Sequence, residues 1–156
     1  MREHKYRAWA DGEMHYPSVV DSDWWYLGAE GYWSLNSGLD GSIICDSLES
    51  ANPNLMERTG LNDKNGKEIC EGDIVSVYWL AELGYTEKDC YATGQVVNDD
   101  CSFTVKFDTT FRVSVGEDGE YEEEFIGLTK HSHNDEVGLE FEVLGNIFEN
   151  PELVKP

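Results

Sequence analysis

The sequence predicts a mainly β protein with little helix, a barrel-like core preceded by an amino-terminal hairpin region. Three observations carry that expectation. Apolar and polar residues alternate over short runs such as Ser102-Phe103-Thr104-Val105-Lys106-Phe107, and a period of two belongs to strands. Turn-forming groups, Asp11-Gly12, Asn65-Gly66, Gly72-Asp73 and Asp118-Gly119, punctuate the chain between these runs. No window of helical length shows a 3.6-residue apolar period, and a single turn around residues 134–138 is the best helical candidate.

The elements follow in order. Residues 3–10 read as a strand, Asp11-Gly12 suits the positive φ angles of a type I′ turn, and residues 13–16 return. Alternation sets His4, Tyr6, Ala8 and Ala10 on one face, with Lys5, Arg7 and Trp9 on the other, where the basic stems would flank the indole. Residues 17–50 are rich in glycine and aromatics (Trp24-Trp25-Tyr26, Gly31-Tyr32-Trp33, Ile43-Ile44-Cys45) and fit short strands broken by Gly, Ser and Asn. These rings are expected to fill the core rather than to form a stacking platform for single-stranded nucleic acid.

The densest block spans residues 55–77. Residues 55–59 form a strand, Asn62-Asp63-Lys64-Asn65-Gly66 a tight reversal, and residues 67–70 a short strand; Glu71-Gly72-Asp73 turns again into Ile74-Val75-Ser76-Val77-Tyr78-Trp79. Ile74, Ser76 and Tyr78 share one face, with Val75, Val77 and Trp79 opposite. A Gly-Asp turn feeding an Ile-Val-x-Val strand is also how many SH3-like barrels begin a core strand, an analogy of fold only. Further on, residues 93–97 and 102–107 flank Asn98-Asp99-Asp100, and residues 111–115 and 121–126 flank the acidic tip Gly116-Glu117-Asp118-Gly119. Residues 139–147 close the chain's strands, with Glu140 and Glu142 opposite Phe141 and Val143. One domain is expected over 1–156, comprising an amino-terminal β sub-region at 1–50 and a barrel core with the last strand at 51–156.

A chain of 156 residues buries roughly 70% of its unfolded surface and needs no metal or disulfide to fold. No apolar run approaches the ~20 residues that cross a bilayer, and residues 1–7 show no signal-peptide pattern. A cytoplasmic location is therefore expected. The four cysteines, Cys45, Cys70, Cys90 and Cys101, include no Cys-x-x-Cys pair, which disfavours structural zinc and favours buried free thiols. Eleven basic against 32 acidic residues give a net charge of −21. Such a surface repels phosphate, so direct DNA or RNA binding is not expected. It favours solubility, divalent cations or a basic protein partner.

At this point the residues resemble the YopX family of phage and prophage proteins. The resemblance rests on Arg2-Glu3-x-Lys5-Tyr6-Arg7-Ala8-Trp9, on Leu55-Met56-x-x-Thr59-Gly60-Leu61-x-Asp63-Lys64-Asn65-Gly66-Lys67-Glu68-Ile69 through Glu71-Gly72-Asp73-Ile74-Val75, on Gly94-Gln95-Val96-Val97, and on Phe141-Glu142-Val143-Leu144-Gly145-Asn146-Ile147-Phe148-Glu149-Asn150-Pro151-Glu152-Leu153. It implies a closed, barrel-like β core, a phage-encoded protein of the bacterial host cytoplasm, and self-association into a homo-oligomer. It implies no reaction and no catalytic residue.

His131-Ser132-His133 places two imidazoles on one face of a strand, as in β-barrel metalloenzymes, where a Glu follows three or four residues later. Here those places hold Val137 and Gly138, with Glu136 too early and Glu140 too late. Asp63-x-Asn65-Gly66-x-Glu68 fails as an EF-hand loop because Gly falls at the fourth position and Ile74 at the twelfth. The acidic tip with Glu122-Glu123-Glu124 reads as a solvated charge run rather than a calcium site. No Gly-x-Ser-x-Gly, phosphate loop or dinucleotide fingerprint is present. The expectation is a non-enzymatic, acidic protein-binding module with no catalytic, cofactor or metal residues. The alternatives are a DNA mimic with carboxylates in rows, or a small β-barrel metalloprotein or enzyme using His131 and His133.

Overall fold

The computed structural model describes residues 5–50, 53–83, 86–99, 102–107, 113–114, 120–121, 125–127 and 140–154. They divide into two compact units, Met1–Arg58 and Thr59–Pro156, and the division falls inside the strand β6 (Asn54–Asn62).

In the first unit, β1 (Tyr6–Ala10) and β2 (Glu13–His15) form the expected hairpin, with Ala10 opposite Glu13. Asp11 and Gly12 both take positive φ, 54° and 84°, as a type I′ turn requires. On its other side β1 pairs with β6 through Tyr6–Glu57 to Trp9–Asn54. The aromatic segment forms a separate antiparallel sheet of β3 (Trp24–Leu27), β4 (Trp33–Asn36) and β5 (Ile43–Asp46). Ala8, Ala10, Trp33, Leu35 and Cys45 make the core, with Trp25 and Leu55 packed against it. Trp25 meets Trp33 edge-on at 5.9 Å and Tyr6 at 6.4 Å, the geometry that aromatic quadrupoles favour. Core filling therefore applies to Trp25 and Trp33. Trp24 and Tyr26, on the opposite face of β3, are 47% and 55% exposed, because a strand in a three-stranded sheet can send only alternate residues inward. Across from them on β4, the buried Asn36 donates to Ser34 Oγ at 2.9 Å, and on β5 the buried Asp46 accepts the N–H groups of Leu48 and Glu49. Gly38 is fixed by crowding, since a β-carbon there would lie 1.7 Å from the carbonyl oxygen of Asp21.

The second unit is built on a five-stranded antiparallel sheet. Its strands are β8 (Asp73–Leu83), β9 (Thr86–Asp99), β10 (Ser102–Phe107), β13 (Phe125–Gly127) and β14 (Glu140–Asn146), in the order β13-β10-β9-β8-β14. The sheet curls as a half-barrel, the form taken by the expected barrel-like core. Val75, Val77, Ala92, Val96, Phe103, Val105 and Phe141 line its inner face, joined by Ile69 of β7 (Glu68–Cys70). Val77 lies opposite Ala92 on one side and Phe141 on the other, so the core is stitched across three strands. A short pair, β11 (Val113–Ser114) with β12 (Glu120–Tyr121), forms a two-stranded sheet of its own. Two 3-10 turns, Ala29–Gly31 and Pro151–Val154, are the helical content among the described residues.

Three details depart from the sequence expectation. The β8–β9 hairpin is far longer than the β-branched runs suggested, pairing as far as Leu83 with Thr86. Asn98 and Asp99 belong to the ladder, opposite Phe103 and Ser102, so they are not the connection. The strand expected at 121–126 is divided between β12, which pairs with β11, and β13, which pairs with β10. Alternation reports which face a residue takes; it does not name the strand that will pair with it.

Candidate functional site

The block at 55–77 is scaffolding. Asp63 is buried, and its Oδ1 accepts the N–H groups of Asn65 at 2.8 Å and Lys67 at 2.9 Å. Its Oδ2 accepts Val143 N–H of β14 at 2.9 Å. Burial pushes this carboxyl up, but the three N–H donors, Val143 foremost, outweigh burial and hold it below the usual aspartate range. With both oxygens engaged by the backbone, Asp63 is a turn-former and not a cation ligand. Lys64 N–H donates to the Phe141 carbonyl at 2.8 Å, so the turn covers the outer edge of β14. Gly66, φ 82°, completes the reversal. The second turn works the same way: Gly72 has φ 79°, and the buried Asp73 accepts Cys70 N–H at 2.8 Å.

The carboxyl-terminal motif is also a turn. Asn146 Oδ1 accepts the N–H groups of Phe148 and Glu149 at 3.1 and 2.9 Å. A β-carbon on Gly145 would lie 2.3 Å from Asn150 Oδ1, so a side chain there would displace that amide.

Of the exposed residues of the turn at Asp63, Lys64 reaches back over β14. Lys64 Nζ pairs with Glu142 at 2.7 Å, and it lines a groove of about 160 Å3 with Ser76, Tyr78, Tyr91, Glu140 and Glu142. Strand register makes this groove. Glu140, Tyr78 and Tyr91 lie in one row across β14, β8 and β9; Glu142, Ser76 and Thr93 form the next row. The small Ser76 leaves a hollow beside the large Tyr78. The two tyrosine rings are 5.0 Å apart and tilted by 45°. Tyr78 donates its hydroxyl to Asp89 at 2.7 Å, and that bond to a carboxylate, aided by some burial and the surrounding negative charge, pushes its pKa up to about 12. The hydrogen bond to Glu142 raises Lys64 as well. The groove therefore holds three carboxylates, counting Asp89 beside it, against one ammonium.

A sequence profile described as YopX protein matches residues 5–155. The chain belongs to the YopX family. The protein yopX of Bacillus subtilis has a similar fold, with a TM-score of 0.59 at 20% identity over 99% of this chain and 100% of that one. A protein of Enterococcus faecalis gives a TM-score of 0.51 at 23% identity, again over 99% and 100%. At these identities the likeness speaks for the fold alone. No curated protein matches.

The other sequence candidates are placed as follows. His131, His133, Glu136 and the acidic residues 116–119 and 122–124 lie outside the described residues. Among the described residues, no three His, Cys, Asp or Glu side chains form a group able to hold a metal ion, and no helix is long and apolar enough to cross a membrane. Cys45 and Cys70 are buried thiols outside any disulfide, and burial, with help from the Asp46 and Asp11 charges, pushes Cys45 up to about 11. The groove was not legible beforehand, because seeing Tyr78 beside Tyr91 requires the pairing of β8 with β9. The available signal was Ser76, a small polar residue between two large ones on a strand.

Proposed function

We propose that this YopX-family protein is a phage-encoded, non-enzymatic accessory module of the bacterial cytoplasm that works by binding a basic protein surface. The observation that carries this reading is the net charge of −21, with Glu140 and Glu142 on the outer side of a sheet whose inner side is sealed core. A field of that sign attracts a basic partner at long range, orients it, and is weakened by salt. Two large aromatics exposed on the first unit, Trp24 and Tyr26, add the type of residue enriched at interfaces.

The test is affinity capture from host lysate at low salt and at physiological salt, with any recovered protein purified and its binding measured directly. A basic partner whose affinity falls as salt rises is the expected result; recovery of nothing at either salt would sink the proposal. If the partner binds DNA and duplex DNA competes for it, the acidic surface acts as a DNA mimic.

A further inference from the structure

We propose that the Glu140–Tyr78–Tyr91 row, with the hollow over Ser76, is a seat for one arginine side chain of the basic partner. This rests on the reading above and deepens it. Two phenol rings 5.0 Å apart form the floor, and Tyr91 is 61% exposed, so a π-face is open to a flat cation. Among the described residues Lys64 is already paired with Glu142. Glu140, in register with Tyr78 and exposed, feels the Lys64 charge but makes no such pair among the described residues, so its carboxylate can meet a guanidinium. The Tyr78 hydroxyl is committed to Asp89, which fixes that ring and sets a further carboxylate beside it. Ser76 supplies both the depth of the groove and a hydroxyl acceptor.

The chemistry selects arginine over lysine. A guanidinium is planar, weakly hydrated, stacks on aromatic rings and forks onto a carboxylate, whereas an ammonium is a compact, strongly hydrated point charge. Lys64, beside the two glutamates, repels a second cation approaching from its own side, so the ligand enters over Tyr91 and points its fork at Glu140.

The experiment titrates the whole protein with a hexa-arginine peptide and, separately, a hexa-lysine peptide at low salt, following tyrosine ring resonances by NMR. The arginine peptide should move the Tyr78 and Tyr91 signals saturably and bind more tightly than the lysine peptide. Tyr91→Ala and Glu140→Gln should each weaken it about 3–10-fold, and Ser76→Leu, which fills the hollow, should abolish the ring shifts. Both of the first two substitutions are at exposed positions, and an unchanged melting temperature confirms that they fold. Equal affinity for the two peptides would overturn the guanidinium assignment. Unchanged affinity in both variants would overturn the seat while leaving the basic-partner reading intact; no binding of either peptide at any salt would remove both.

Discussion

Asp63 shows how one side chain fixes two parts of the second unit. Its carboxylate closes its own turn through Asn65 and Lys67 and ties that turn to β14 through Val143. Asp63→Ala leaves those N–H groups without an acceptor and should cost on the order of 3 kcal/mol. Asp63→Asn retains one acceptor oxygen, sets an amide against Val143 N–H, and should lie between the two in chemical denaturation. The acid dependence follows from the lowered pKa. Asp63 stabilises the fold fully above its ordinary value of 3.8, and that contribution is lost as pH falls below it through the lowered folded-state value. The stability gap between the native protein and Asp63→Asn should therefore close on acidification; a gap constant from pH 6 to pH 2 would contradict this role. The turn-forming part of the residue was legible, because Asp63-x-Asn65-Gly66 is turn chemistry. The bond to Val143 was not, since 80 residues separate the partners.

The strands divide into those that propensity announced and those that pairing created. Residues 102–107 appear as β10 with the bounds their alternation gave, and Asp73-Ile74-Val75 starts β8 where the Gly72 turn ends. The outer half of the β8–β9 hairpin, Leu80-Ala81-Glu82-Leu83 against Thr86-Glu87-Lys88-Asp89, has little β-branched content, so its strand form comes from cross-strand hydrogen bonds. The aromatic segment makes the same point for burial. Trp24, Trp25 and Trp33 look alike as residues, yet Trp33 is 5% exposed and Trp24 47%. Trp33→Ala should cost about 3–5 kcal/mol as a core truncation, whereas Trp24→Ala should cost less than about 1 kcal/mol. Similar losses in thermal or chemical unfolding would show that the face assignment of β3 is wrong.

At the scale of the whole molecule, charge governs behaviour in solution. A chain carrying −21 repels its own copies at low ionic strength, and the Debye length shrinks from about 30 Å at 0.01 M salt to about 8 Å at 0.15 M. If copies associate, as the family resemblance implies, the association should strengthen with salt while binding to a basic partner weakens. Sedimentation or light scattering at the two salt concentrations measures the first effect; an assembly that dissociates as salt rises would show that its contacts are ionic. The two trends run in opposite directions, so self-association and partner binding are separable in one salt series.

By itself the sequence determined the β class, the first hairpin, the two turns around residues 63 and 72, which residues of β8 and β14 share a face, and the family. All of these are written in local chemistry: a period of two, glycine where φ must be positive, an aspartate placed to bond its own backbone. Only the tertiary structure decided that Tyr78 stands beside Tyr91 and in line with Glu140, that Lys64 pairs with Glu142, and which tryptophans face solvent. Those are products of register between strands far apart in the chain, and a strand's sequence states which residues share a face without stating what lies across from them.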